Sequence, residues 1–203
     1  MVSTTNSNTL RFLQQENRRL QDENDQLREQ VSRLLGYMDA LRDLQRSATL
    51  ISTADDVMAV LNQILYAALT VTDSSAGSLL LCDPETNELV FAVVHGERRE
   101  VIQGYRLPAG TGVAGWAATQ QGAVIVNDPR RDWRFSALVD ETFGFQTYNL
   151  VALPLIARGR VLGVLEVLNT FSQDDYTEGH LNLLNLLALL AATALDSLEV
   201  AEE

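Results

Sequence analysis

A chain of 203 residues, 46% of them apolar, holds enough material for one real core. Its net charge of −12 argues against nonspecific nucleic-acid binding, and the absence of any lysine among its 15 basic residues excludes Schiff-base catalysis and a Walker-type phosphate loop. A single cysteine, Cys82, rules out a disulfide framework and a cysteine-rich metal site.

The first element in chain order is a heptad repeat. Leu13, Leu20, Leu27, Leu34 and Leu41 recur every seventh residue, with Leu10, Asn17, Asn24, Val31, Met38 and Gln45 at the other core position. A 3.5-residue repeat keeps one stripe facing a partner only when helices supercoil, and leucine at d favours a parallel dimer. Buried asparagines at a, here Asn17 and Asn24, fix register and strand number at some cost in stability. Glu23 at g faces Arg28 at e of the other chain in that geometry. The competing reading is a long amphipathic helix folded onto its own domain, but that needs a wider stripe. The stripe does widen after Leu34, where Leu35, Tyr37 and Leu44 join it. Residues 1–46 are therefore expected to be a dimerisation coil and 47–203 a single domain.

Thr53 reads as an N-cap opening a helix to about Val71. Gly77 to Cys82 is an apolar run too short for a helix, Asp83-Pro84-Glu85-Thr86-Asn87 is turn chemistry, and Leu89 to Val94 completes a hairpin. A glycine-rich loop at 110–115 leads into a short helix from Val113 to Gln120, followed by a strand from Ala123 to Val126. The stretch from Arg130 to Gln146 is irregular, with a short helix near Ala137 to Thr142. Leu150 to Ala157 and Val161 to Asn169 form a second hairpin across Arg158-Gly159. Thr177 caps a last helix, and Tyr176 is placed to staple onto Leu181. That helix is apolar on two sides: Leu184, Leu187, Ala188 and Ala191 on one, Leu183, Leu186 and Leu190 on the other. It is expected to be buried against its own domain and against a dimer partner. The run from Leu181 to Leu195, interrupted by Asn182 and Asn185, falls short of the ~20 residues a membrane span needs. Without a basic leader before an apolar stretch, the expectation is a cytoplasmic protein with no membrane insertion. Helices at both ends around antiparallel hairpins make the fold class α+β.

Gly110-Thr111-Gly112-Val113-Ala114-Gly115 spells the dinucleotide pattern, but the preceding Tyr105-Arg106-Leu107-Pro108 is not a buried parallel strand and the following helix is too short. The glycines are better explained by a tight turn. His95 and His180 have no companions at ligand spacing, and Cys82 reads as a small packed hydrophobe. No local motif marks an activated nucleophile. Trp133, among Arg130, Arg131, Arg134 and Phe135, admits two readings: plain packing, or a loop closing over an anionic or aromatic ligand.

The order of these pieces resembles a GAF domain, the small-molecule sensor module of phosphodiesterases, phytochromes and bacterial signalling proteins. The resemblance spans about Leu44 to Leu198. It is carried by the segments Leu107 to Trp116, Val124-Ile125-Val126-Asn127-Asp128, and Gly163-Val164-Leu165-Glu166-Val167-Leu168-Asn169, then by Tyr176-Thr177-Glu178 before the last helix. It implies a central antiparallel sheet with terminal helices on one face, commonly forming a dimer interface, and a ligand cavity on the other. Ser78 matches a pocket-lining position of cyclic-nucleotide-binding members, and Asn169 the first letter of their Asn-Lys-Phe-Asp-Glu signature. Thr170 stands where that signature has its lysine, and Phe171, Asp174 and Asp175 match the rest loosely.

The expected protein is a non-enzymatic, cytoplasmic, homodimeric GAF sensor or adaptor whose coil couples the cavity to a signalling protein partner. The alternative is a coiled-coil scaffold with a degenerate, ligand-free GAF domain. The expected ligand wall comprises Ser78 and Leu80 on the first strand, Trp116, Ile125, and Arg130, Trp133, Phe135 and Tyr148 in the irregular segment. Cofactor and ligand identity are unknown at this level, and no metal is expected.

Overall fold

The computed structural model describes residues 14–25, 27–28 and 54–202. Two units divide the chain, Met1–Arg42 and Asp43–Glu203. In the first, residues 14–25 form helix α1. Arg19 pairs with Glu16 at 2.7 Å along its surface, and Leu20 and Leu27 are 52% and 53% exposed. Leu13, Val31, Leu34, Met38 and Leu41 lie outside the described residues, as do Leu10, Gln45 and the Thr53 cap.

In the second unit, α2 (Ala54–Thr72) leads into β1 (Ser74–Cys82) and β2 (Leu89–His95). The short helix α3 (Arg99–Ile102), β3 (Arg106–Leu107), α4 (Gly112–Gln120) and β4 (Val124–Val126) follow. A 3-10 turn (Pro129–Arg131) and α5 (Leu138–Phe143) precede β5 (Leu150–Ala157), β6 (Arg160–Thr170) and α6 (Glu178–Glu202). The strands form one antiparallel sheet in the order β3-β2-β1-β6-β5-β4. The two hairpins read from sequence thus meet along β1 and β6. These central strands are buried on both faces, which explains their near-continuous apolar runs. The edges are blunted by brevity, β3 having 2 residues and β4 having 3.

One face of the sheet carries α2 and α6 over Leu79, Val93, Leu153 and Leu165. Gly77 permits the close approach of α2: a Cβ there would lie 3.0 Å from Leu69 and 2.8 Å from the Glu166 carbonyl. By length and composition alone, Glu178–Leu198 is long and apolar enough to cross a membrane, so the interrupting asparagines do not make it too short. Leu184, Leu187, Ala188, Ala191, Ala192 and Ala194 are buried along the face of the helix that meets the sheet and α2. Leu186 and Leu189 on α6 and Tyr66 on α2 stay exposed.

Polar side chains fasten the ends of these elements. The hydroxyls of Thr72, Ser74 and Tyr176 form a buried chain with steps of 2.7 Å, tying the α2–β1 junction to the start of α6. Burial pushes the Tyr176 phenol well above its usual range. The α6 cap is reciprocal: the His180 amide donates to Thr177 Oγ1, and the Thr177 amide donates to His180 Nδ1. Asn127 clamps Tyr176 from both sides, its amide group donating to the Tyr176 carbonyl and its Oδ1 accepting from the Tyr176 amide at 2.9 Å. Asn127→Ala leaves both backbone groups short of a partner and is expected to cost about 1–2 kcal/mol, read by urea denaturation.

Candidate functional site

The second face of the sheet is roofed by α3, α4, α5 and the loops between them. Toward β3 and β4 it is filled by Leu80, Leu89, Phe91, Leu107, Val113, Ala117 and Val124. Between that cluster and the α3 and α5 loops a cavity of about 90 Å³ remains. Its walls are mostly apolar, from Phe91, Val94, Ile102, Val113, Leu150 and Leu168. The exposed residues Glu97, Arg98, Arg99 and Leu138 mark where it meets solvent. Arg98 straps this opening by donating to the Gly144 carbonyl at 3.4 Å.

The glycine-rich loop shapes the roof. Gly110 and Gly112 sit at φ +71° and +68°, a region L side chains avoid, and a Cβ on Gly115 would overlap the Gly110 carbonyl carbon. The turn is therefore folded back on itself to start α4, and its dinucleotide-like spelling follows from that close approach.

At the cavity floor lies Glu166, in the middle of β6. Register places it beside Ser78 of β1 on one side and Ala152 of β5 on the other. The period of 2 then turns Val164, Glu166 and Leu168 to the cavity face, and Leu165 and Val167 to the helices. Glu166 is buried. Among the described residues its carboxyl has one hydrogen bond, from Ser78 Oγ at 3.5 Å, a separation at the outer limit for such a bond. Desolvation pushes its pKa up from 4.5 to about 7, with the Ser78 hydroxyl pulling weakly the other way.

Of the residues expected at the site, Ser78 and Phe135 line this cavity. Leu80 shares their face but is packed farther along, in the apolar cluster. Trp116 is half-buried at the cluster's edge, beneath the Arg134 guanidinium at 4.7 Å. Arg134 is also forked onto Asp132 at 2.8 and 2.6 Å, which holds the Asp132 carboxyl below its usual range. Ile125 pairs with Val151, on the alternate strand position that faces away from the cavity. Arg130 and Tyr148 are exposed, and Trp133 is 83% exposed to solvent. The irregular segment therefore sends Phe135, Val139, Asp140 and Thr147 to the cavity rather than its conspicuous tryptophan and arginines. No motif in the sequence singles out Glu166 as a site residue. Its signal was a lone carboxylate inside the otherwise apolar Val161 to Leu168.

Asn169, the remnant of the signature, serves the fold. At φ +59° its side chain accepts from the Tyr148 amide and donates to the Gln146 carbonyl, both at 2.7 Å. Thr170, in the lysine's place, donates to the Asp174 carbonyl at 2.7 Å. A wider groove of about 640 Å³ lies among residues of the β1–β2 turn, the glycine loop and the end of α6, and includes Cys82 and Asp83. Asp83 is already ion-paired with Arg106, which holds its carboxyl down to about 2.

The family model for the GAF domain matches residues 54–196. The chain belongs to the GAF domain family. GAF domains are signalling sensor modules, and the six-stranded antiparallel sheet with flanking helices is their fold. The GAF domain of a phosphoenolpyruvate-protein phosphotransferase from Coxiella burnetii has a TM-score of 0.69 at 18% identity, over 80% of this chain and 94% of that one. The free methionine-R-sulfoxide reductase of Neisseria meningitidis, solved with its substrate, has a TM-score of 0.60 at 20% identity, over 80% of this chain and 92% of that one. At those identities the likeness is one of fold. Among sequence relatives, the probable 3′,5′-cyclic phosphodiesterase pde-5 of Caenorhabditis elegans is 27% identical over 120 residues, 55% of this chain. The chain spans 16% of that relative's length.

Proposed function

We propose that this GAF protein is a non-enzymatic cytoplasmic sensor or adaptor that acts as a homodimer, with the cavity over Ser78 and Glu166 as its small-molecule site. The observation carrying the ligand reading is a buried, poorly paired carboxyl turned into a mostly apolar cavity. Such a group costs stability in the empty fold, and groups of this kind cluster where ligands bind. The exposed Leu20 and Leu27 support dimerisation through a parallel coil, and Tyr66, Leu186 and Leu189 offer a second apolar surface on the terminal helices. Coupling then runs from the cavity through the dimer to a protein partner. A ligand drives that coupling only through different affinities for two states of the domain. Cys82 is a poor candidate nucleophile, since burial pushes its thiol up.

Native mass spectrometry on protein purified without added ligand is the direct test, and a bound mass of small-molecule size released on denaturation is expected. The second reading, a scaffold with a degenerate cavity, rests on the cavity's small volume of about 90 Å³. An empty protein whose melting no metabolite mixture shifts would establish the scaffold instead.

A further inference from the structure

We infer that the cavity takes a small, largely apolar amine, held by its ammonium group against Glu166 and Ser78. This inference rests on the proposed reading of the cavity as the ligand site, and it specifies the chemistry recognised there. Size sets the first limit. A cavity near 90 Å³ is smaller than the ~150 Å³ engineered void that holds benzene, so the part of an occupant seated over Glu166 has only a handful of heavy atoms. The walls set the second. Phe91, Val94, Ile102, Val113 and Leu168 offer an occupant dispersion contacts and no hydrogen bonds.

The floor sets the third limit and carries the sign. Glu166 presents carboxyl oxygens, and the hydroxyl of Ser78 lies 3.5 Å from one of them. An ionised carboxyl accepts and cannot donate, and a hydroxyl can accept as well, whereas an ammonium group has three donors and no acceptor. One ammonium can satisfy both partners, and a charge-assisted bond of this kind is the strong kind. A neutral alcohol of the same shape has a single donor, and a carboxylate ligand meets a like charge. The rim gives no competing preference, because its ionisable groups are Glu97 and Asp140 against Arg98 and Arg99. His95 also lines the cavity, and its ring lies 6.4 Å from that of Tyr66 on α2. Burial pushes the His95 imidazole down, toward its neutral form. Ionisation of Glu166 near neutrality then makes amine binding strengthen between pH 6 and pH 8.

The test uses isobutylamine and its isostere isobutanol on the full chain with labelled methyl groups, followed by NMR at pH 6 and pH 8. The amine is expected to shift the Ile102, Val113 and Leu168 methyls and to bind at least about tenfold tighter than the alcohol at pH 8. Its affinity is expected to fall at pH 6. In Glu166→Gln, which keeps the shape of the floor, the two probes are expected to bind alike with no pH dependence, which separates Glu166 from His95. Ser78→Ala is expected to weaken the amine by a smaller factor. Wild-type protein that binds isobutanol as tightly as isobutylamine at the same methyls overturns the amine inference and leaves the cavity as a ligand site. Failure of both probes to perturb those methyls overturns the cavity reading and the inference together.

Discussion

Glu166→Gln is expected to make the unliganded protein more stable, by about 3 kcal/mol at pH 8.5 and by roughly 1 kcal/mol at pH 5.5. The reason is linkage. In the folded state desolvation holds the Glu166 carboxyl at about 7, against 4.5 in a solvated chain. Below the lower value both states are protonated and the group is neutral in its effect. Between the two values the unfolded chain has lost the proton and the folded one keeps it, so the unfolded state binds fewer protons and stability falls as pH rises. Above the upper value both are ionised and the loss is complete. Glutamine has the same shape and no proton to lose, and its amide can donate to Ser78 Oγ. His95 acts in the opposite sense, its lowered pKa favouring the folded state as pH rises, but it is common to both proteins. The wild-type-minus-variant difference in urea-unfolding free energy isolates Glu166. A variant equal to or less stable than wild type at pH 8.5 would show that the carboxyl is well solvated or paired. A saturating amine should narrow the gap, since it provides the missing partner.

The sheet was legible in the sequence because its signals are local. Gly77 to Cys82 and Val161 to Asn169 are short apolar runs bounded by turn residues, and the structure extends the first back to Ser74 and the second by one residue at each end, to Arg160 and Thr170. The glycine loop and the short helix after it were equally readable, since positive φ and close approach admit few residues other than glycine. The site was not legible in the same way. Ser78 and Glu166 meet across strands that are 88 positions apart, and nothing near either residue announces the other. Along the irregular segment no periodicity tells which side chains turn inward. There two of the arginines are engaged with near neighbours, Arg134 with Asp132 and Trp116, and Arg131 with Asp128 at 3.4 Å. The tryptophan between them is left in solvent. The aromatic and cationic composition reads as a ligand clamp, while Arg131 and Arg134 are held in local pairs with Asp128 and Asp132.

Leu20→Asp together with Leu27→Asp is expected to abolish the dimer while leaving the GAF domain folded. Both leucines are about half exposed on a segment whose visible stabilisation is helical ion pairing, Arg19 with Glu16 and Glu23, and Arg28 with Asp25. Solvated pairs of this kind contribute little, and an isolated short helix is marginal in water, so the leucine stripe needs another surface to cover it. In the proposed dimer a second copy of the same helix would supply one at the matching heptad spacing, with Asn17 and Asn24 setting parallel register. Two aspartates per chain place four carboxylates in that seam, each losing water without gaining a partner. Sedimentation is expected to show wild type as a dimer and the variant as a monomer at micromolar concentration. Far-ultraviolet circular dichroism should show a helix loss no larger than the N-terminal segment, with the melting of residues 54–196 retained. A variant that still sediments as a full dimer would assign the interface to the exposed face of the terminal helices, where Tyr66, Leu186 and Leu189 lie. Placing an aspartate at Leu186 or Leu189 in that background would then be the decisive substitution.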